Sequence, residues 1–235
     1  MAITGQESAP AGRRCLPGVR RVGILGGTFN PIHVAHLRIA EEVREACDLE
    51  EILFLPAADP PHKPVAGAVL FRHRLAMVAA AIADHPAFRC SDIEAQRHGK
   101  SFSVDTLDLL RARQPDCDFY FIIGLDSWRD LTSWKEYARL FQLANLVVTA
   151  RPGIEIGDPL ALLPVAVRQE FCYSAEASAI RHRSGHLLIF LTETRLDISS
   201  TVIRAKLARG ESIRYLVPDP VARYLTTHGL YQGPA

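Results

Sequence analysis

Short β-branched or aromatic runs alternate along the chain with stretches whose apolar residues recur at helical spacing. The runs at 22–25, 52–55, 88–90, 119–123, 146–149 and 187–191 predict strands. Helical periodicity predicts helices at 34–47, 69–84, 103–113, 131–142 and 159–171, and two more, 200–209 and 219–228, close the pattern. In the first of these, Val34, Leu37, Ala40, Val43 and Cys47 fall on one face. Gly210 and Gly229 stand where the last two helices would stop. The strand runs are nearly continuous in apolar residues, as strands covered on both faces are. The expected fold class is therefore α/β: a doubly wound, mainly parallel sheet with helices on both faces and a small C-terminal helical part. In such sheets ligands bind beyond the carboxyl ends of the strands, where the strand order reverses.

Length and charge narrow this further. The 235 residues fit one large domain, and no linker divides them. Residues 1–20 contain Gly5, Pro10, Gly12, Pro17 and Gly18 without an apolar signal run, so they read as a disordered leader to a single domain at 21–235. With 27 Lys+Arg against 26 Asp+Glu, the net charge of +1 argues against coating nucleic acid or an acidic membrane. A local basic pocket for a phosphorylated small molecule stays open. The five cysteines are scattered and form no CxxC pair, which excludes a disulfide framework and a cysteine zinc site. The longest stretch free of charged residues, 22–37, is broken by Gly26, Gly27 and Pro31 and is too short to cross a bilayer. A cytoplasmic protein is expected. The segment 153–186, with its basic patch Arg181-His182-Arg183, reads as a solvated loop; an insertion, a lid or an oligomer contact are the alternatives.

The chemistry concentrates directly after the first strand, at Gly26-Gly27-Thr28-Phe29-Asn30-Pro31-Ile32-His33-Val34-Ala35-His36. Two glycines let the backbone turn tightly and approach a ligand. N–H groups in that turn and at the start of the next helix are donors for phosphate oxygens. His33 and His36, three residues apart, can share one face and stabilise charge developing on a phosphate. Taken piecemeal, a glycine turn with two capping or core histidines accounts for the same residues. The string lacks the G-x-G-x-x-G of a dehydrogenase, and no Gly-Lys-Ser/Thr ending of a P-loop occurs anywhere in the chain.

A second cluster, Ile198-Ser199-Ser200-Thr201-Val202-Ile203-Arg204, stands far downstream. Its hydroxyls can cap a helix N-terminus or bind a phosphate there. Arg204, one turn past Ser200, can fork onto the same anion.

Together the two strings resemble the signature of the nucleotidyltransferase superfamily, a Gly-Gly-Thr-Phe-Asp-Pro-x-His-x-Gly-His loop paired with Ile-Ser-Ser-Thr-x-Ile-Arg. Asn30 and Ala35 replace the usual Asp and Gly. The resemblance implies a Rossmann-like fold in which His33, His36 and Arg204 act on the phosphates. It also implies that Gly26, Gly27, Thr28, Phe29, Ser199, Ser200 and Thr201 help to bind ATP.

Four further segments are similar to the bacterial nicotinate-nucleotide adenylyltransferase family. Pro60-Pro61-His62-Lys63 matches a Pro-Pro-His-Lys loop in which Lys63 would contact a substrate phosphate. Ser101-Phe102-Ser103-Val104-Asp105-Thr106-Leu107 matches Ser-Tyr-Thr-x-Asp-Thr-Leu, with Ser103 at the nicotinate carboxylate. Phe121-Ile122-Ile123-Gly124-Leu125-Asp126-Ser127 matches the element lying against adenosine, which brings in Gly124 and Asp126. Arg151-Pro152-Gly153 places Arg151 near the adenine or its phosphates. Trp134 coincides with a tryptophan that stacks on the nicotinate ring, followed here by Lys135 where relatives often carry an aromatic residue. Asn30, Lys63, Ser103 and Trp134 thus form the expected acceptor side.

The resemblance implies adenylyl transfer from ATP to nicotinic acid mononucleotide, with Mg²⁺ arriving on the nucleotide, no separate protein metal site, and a homo-oligomer as a possible assembly. Two other readings stay open: a sister adenylyltransferase acting on nicotinamide mononucleotide or phosphopantetheine, and a non-catalytic nucleotide sensor on the same scaffold.

Overall fold

Parallel strands joined by helices need crossovers that cover both sheet faces, and the chain is laid out accordingly. The computed structural model describes residues 18–60, 69–97, 99–150, 158–174, 179–191 and 196–232. Strands β1 (Arg20–Gly27), β2 (Glu51–Pro56), β3 (Phe88–Cys90), β4 (Cys117–Gly124) and β5 (Asn145–Thr149) alternate with helices α1 (Val34–Ala46), α2 (Phe71–Ile82), α3 (Ser103–Arg113), α4 (Leu125–Arg129) and α5 (Tyr137–Leu143). Then come β6 (Phe171–Ser174), β7 (Ala179–His182), β8 (Leu187–Leu191), α6 (Ser200–Ala208) and α7 (Asp219–Thr227). The described strands form one sheet of order β3-β2-β1-β4-β5-β8-β7-β6. The first six in that order are parallel neighbours, and β7 pairs antiparallel with both β8 and β6. The order reverses between β1 and β4, which is where a doubly wound sheet opens its crevice.

Successive residues of each central strand feed opposite cores. Ile24, Leu53, Phe121, Leu146 and Val148 pack with Val104, Leu107 and Leu110 of α3 and Leu140 and Phe141 of α5. Leu25, Ile52, Phe54, Ile122 and Val147 pack instead with Val43 of α1, Met77 and Val78 of α2, Ile203 of α6 and Val221 of α7. The C-terminal helices therefore complete one face of the sheet and do not stand apart. Gly23 marks the closest approach inside β1: a Cβ there would lie 2.4 Å from Ile52 Cδ1 and 2.9 Å from Leu49 Cδ1.

Three expectations are corrected. The helix expected at 131–142 is a 3₁₀ turn (Leu131–Ser133) followed by α5, because Glu136 takes a left-handed conformation (φ 48°) that no α-helix continues through. The helix expected at 159–171 is a series of turns ending in a 3₁₀ turn (Arg168–Glu170), with Pro164 in its midst. Leu163 and Val167 are buried at helical spacing, which is what the periodicity reported. Within the supposed solvated loop, β6 and β7 extend the sheet. There His182 is buried, with Nε2 2.9 Å from Glu170 Oε2 and Nδ1 2.8 Å from Ser184 Oγ.

Candidate active site

The crevice predicted by the strand order is a cleft of about 780 Å³ at the carboxyl ends of β1 and β4. Its wall includes Gly26, Gly27 and Thr28 after β1, Gly124 and Asp126 after β4, and His33 and His36 at the start of α1. Ser103, Trp134, Ser199 and Ser200 share the same wall. Gly124 opens directly onto it, since a Cβ there would meet nothing within 4 Å. The volume lies in the range that takes a nucleotide-sized ligand.

The glycine loop is pinned from behind. Phe29, left-handed at φ 47°, is buried under Gly27, where a Cβ would meet its ring at 3.2 Å. Asn30 is buried as well and stands behind the wall. Its Oδ1 accepts the Val69 N–H (3.3 Å) and the Tyr231 hydroxyl (2.5 Å). Buried Arg74 donates to Thr28 O at 2.8 Å and holds the loop from α2.

His33 and His36 stack with ring centroids 3.7 Å apart, and the Phe29 ring meets the His36 edge at 5.1 Å. Burial pushes the His33 pKa down to about 4. Burial, and then the neighbouring His33, lowers that of His36 well below the ordinary imidazole value. Both rings are thus neutral at pH 7 in the ligand-free protein. His36 Nδ1 accepts the His33 backbone N–H at 3.2 Å, so its proton resides on Nε2, and Nε2–H is the donor it can offer to a ligand. His33 Nδ1 is buried without a hydrogen-bond partner among the described residues. The helix start offers less than its free N–H groups suggest: Val34 N–H donates to Leu216 O (3.0 Å) and His36 N–H to His33 O (3.0 Å).

The distant serine cluster docks onto this loop. Ser199 caps α6 by accepting the Val202 N–H at 3.3 Å. Ser200 Oγ donates to Pro31 O at 2.8 Å, and Arg204 Nη1 donates to Asn30 O at 2.8 Å. Arg204 Nη2 donates to Thr201 Oγ1 at 3.3 Å. Thr201 and Arg204 stand beside the cleft, outside its lining. Lys63 and Arg151 lie outside the described residues.

Residues 24–206 match the family model described as cytidylyltransferase-like. A protein of Syntrophotalea carbinolica named probable nicotinate-nucleotide adenylyltransferase is 61% identical over 212 residues, covering 90% of this chain and 97% of its own. A relative of the same name from Geobacter metallireducens is 53% identical over 211 residues, with 90% and 98% covered. The chain belongs to the nicotinate-nucleotide adenylyltransferase family. The fold agrees with the nicotinic acid mononucleotide adenylyltransferase of Plasmodium falciparum, solved in complex with NaAD, at a TM-score of 0.69 and 20% identity. That match covers 90% of this chain and 97% of the other.

Against the adenylyltransferase motif, the departures have physical explanations. Asn30 keeps the acceptor that Val69 and Tyr231 need, while its Nδ2 has no partner among the described residues. Ala35 sits inside the first turn of α1, where a methyl group suits helical backbone. Lys135 replaces an aromatic residue and lies 5.1 Å over the Phe102 ring, with Nζ 2.9 and 3.0 Å from the two Asp105 oxygens. The sequence motifs did not include Arg74, and gave no role to Ser101, whose Oγ accepts the N–H groups of Ala58 and Asp59 at 3.1 Å each. They also passed over Glu94 on the cleft wall. Among the described residues no helix is long and apolar enough to cross a membrane.

Proposed function

We propose that residues 21–235 act as a single adenylyltransferase unit that joins the adenylyl group of ATP to nicotinic acid mononucleotide. One observation carries this reading: Ser200 and Arg204 hydrogen-bond the backbone of the loop that carries His33 and His36. Two segments distant in the chain thus meet, and Ser199 and Ser200 share the cleft wall with His33 and His36.

An oxygen of the acceptor's phosphate attacks the α-phosphorus of ATP. The new P–O bond forms as the bond from the α-phosphorus to the bridging oxygen breaks, and pyrophosphate leaves with that electron pair. The nucleophile is already anionic, so no protein base is required, and catalysis consists of positioning and charge neutralisation. His36 Nε2–H and the His33 ring would donate to the phosphates. Phosphate charge would in turn raise both imidazole pKa values. Ser199, Ser200 and Thr201 at the α6 start, with Arg204 and Arg151, would bind the triphosphate, and Gly124 and Asp126 the adenosine. Gly26, Gly27, Thr28 and Phe29 shape the turn the phosphates approach. Trp134, Ser103 and Lys63 would hold the acceptor, with Asn30 fixing the loop between them.

Mg²⁺ belongs to this reading as part of the ATP complex. Among the described residues no group of three or more His, Cys, Asp or Glu side chains gathers around a common point, so phosphate oxygens would supply its ligands. When bound, the ion neutralises charge on the phosphates. Pyrophosphate release from ATP, measured with nicotinic acid mononucleotide, nicotinamide mononucleotide and phosphopantetheine, tests the proposal. Release with the first above the other two is the expected result, and no release with any of them would leave a nucleotide sensor.

A further inference from the structure

Glu94 lies on the cleft wall in the turn after β3, and its carboxylate is only half used. Oε1 accepts the hydroxyl of buried Thr106 at 3.0 Å. Oε2 is also buried and has no hydrogen-bond partner among the described residues. Leaving a carboxylate oxygen buried and unpaired is expensive, so a retained one calls for a partner that arrives later.

The chemistry of that partner is restricted. A carboxylate accepts hydrogen bonds and repels anions, so it takes an uncharged or cationic donor and refuses a phosphate or a second carboxylate. The acceptor proposed above is anionic at both ends, with a ring carboxylate at one and a phosphate at the other. Its only hydrogen-bond donors are the 2′ and 3′ hydroxyls of the sugar between them. Glu94 meets α3 at Thr106, one turn beyond Ser103, and shares the wall with Ser103 and Trp134. This is the side of the cleft assigned to the acceptor.

Two cations of the protein compete for it: Arg74, whose charge acts on Glu94 but whose N–H groups go to the carbonyls of Val69, Thr28 and Ala58, and Arg97, three residues on. Arg97 Nε is likewise buried without a hydrogen-bond partner among the described residues, while its Nη1 lies 3.8 Å from Asp105 Oδ2. Lys135, held by the same Asp105, lies on the cleft wall itself.

We infer that Glu94 binds the acceptor nucleotide by accepting a ribose hydroxyl at Oε2, an assignment that rests on the adenylyl-acceptor reading. The test compares wild type and Glu94→Gln on nicotinic acid mononucleotide and on its 2′-deoxy and 3′-deoxy forms, following pyrophosphate release. Gln keeps an acceptor for Thr106 and removes the charged one. Wild type should lose about 10-fold or more in kcat/KM when the contacted hydroxyl is missing, the scale of a hydrogen bond to a charged group. In Glu94→Gln that penalty should shrink below about threefold, with the loss on the natural acceptor carried by its KM and the KM for ATP nearly unchanged.

An undiminished deoxy penalty in Glu94→Gln overturns the assignment, as does a fall in Tm accompanied by equal rises in both KM values, which would make Glu94 a brace for α3 or Arg97. A penalty that moves only with deoxy-ATP would place the contact on the other nucleotide and equally overturn it. Failure of wild type to use any pyridine mononucleotide would instead remove the reading beneath it, so the two failures are distinguishable.

Discussion

The Arg204 guanidinium donates to the carbonyl oxygen of Asn30 at 2.8 Å, across 174 positions of sequence. The arginine expected to meet a phosphate therefore first holds the loop that presents the histidines. Arg204→Ala should cost about 2 kcal/mol of stability, because a carbonyl loses its donor, and lower Tm by roughly 4–8 °C. Arg204→Lys should recover the charge without the fork, leaving kcat/KM depressed by about 10-fold or more. Thermal melts and steady-state kinetics on both variants check this.

His36→Ala should reduce kcat by roughly 10²–10³, the scale of one preorganised donor. The Nδ1 acceptor for the His33 N–H goes with it, so a small loss of stability should accompany the effect. Turnover near the wild-type rate would remove His36 from the chemistry.

Acid should act through His33. Its folded-state pKa of about 4 lies below the ordinary value of 6.5, so between these values the unfolded chain binds the extra proton. The contribution is present in full above pH 6.5 and is lost as the pH falls towards 4. The stability of wild type relative to His33→Gln should therefore decline by about 3 kcal/mol between pH 7 and pH 4. Denaturant unfolding of both proteins across that range is the measurement.

Trp134 lines the cleft and meets Phe121 edge-on at 6.4 Å. Trp134→Ala should raise the KM for the pyridine nucleotide about 10-fold while changing that for ATP little. Equal changes in both would assign the ring to packing.

Gly23→Ala tests the close approach inside β1. The added methyl group would overlap Ile52 Cδ1 at 2.4 Å, and the resulting overpacking should cost about 1–3 kcal/mol. The measurement is denaturant unfolding of the variant beside wild type.

The six parallel strands β1 to β5 and β8, and helices α1 to α3, α6 and α7, were legible because burial on two faces leaves a continuous apolar run, and burial on one leaves a helical period. The same period misled at 131–142 and 159–171. Leu131 and Leu140 are buried on either side of the left-handed Glu136, and Leu163 and Val167 on either side of Pro164, so spacing survived where helix did not. Strands β6 and β7, four residues each, carry too little pattern to stand out. In the cleft, residues belonging to a contiguous motif could be read. Arg74 and Glu94 could not, and Ser101, though inside such a motif, gave no sign of its role, since each acts through contacts with segments remote in the chain or through an unpaired atom visible only in three dimensions.

The hydrogen bond from Ser200 to Pro31 spans 169 positions, and Tyr231 reaches still further back to Asn30. On the ribosome, the glycine turn and its histidines emerge long before the residues that brace them. A nascent polypeptide can pair its first strands and yet possess no finished catalytic loop. Activity should appear only once Ser200, Arg204 and Tyr231 have joined the fold, so nucleotide chemistry waits on residues made long after the histidines.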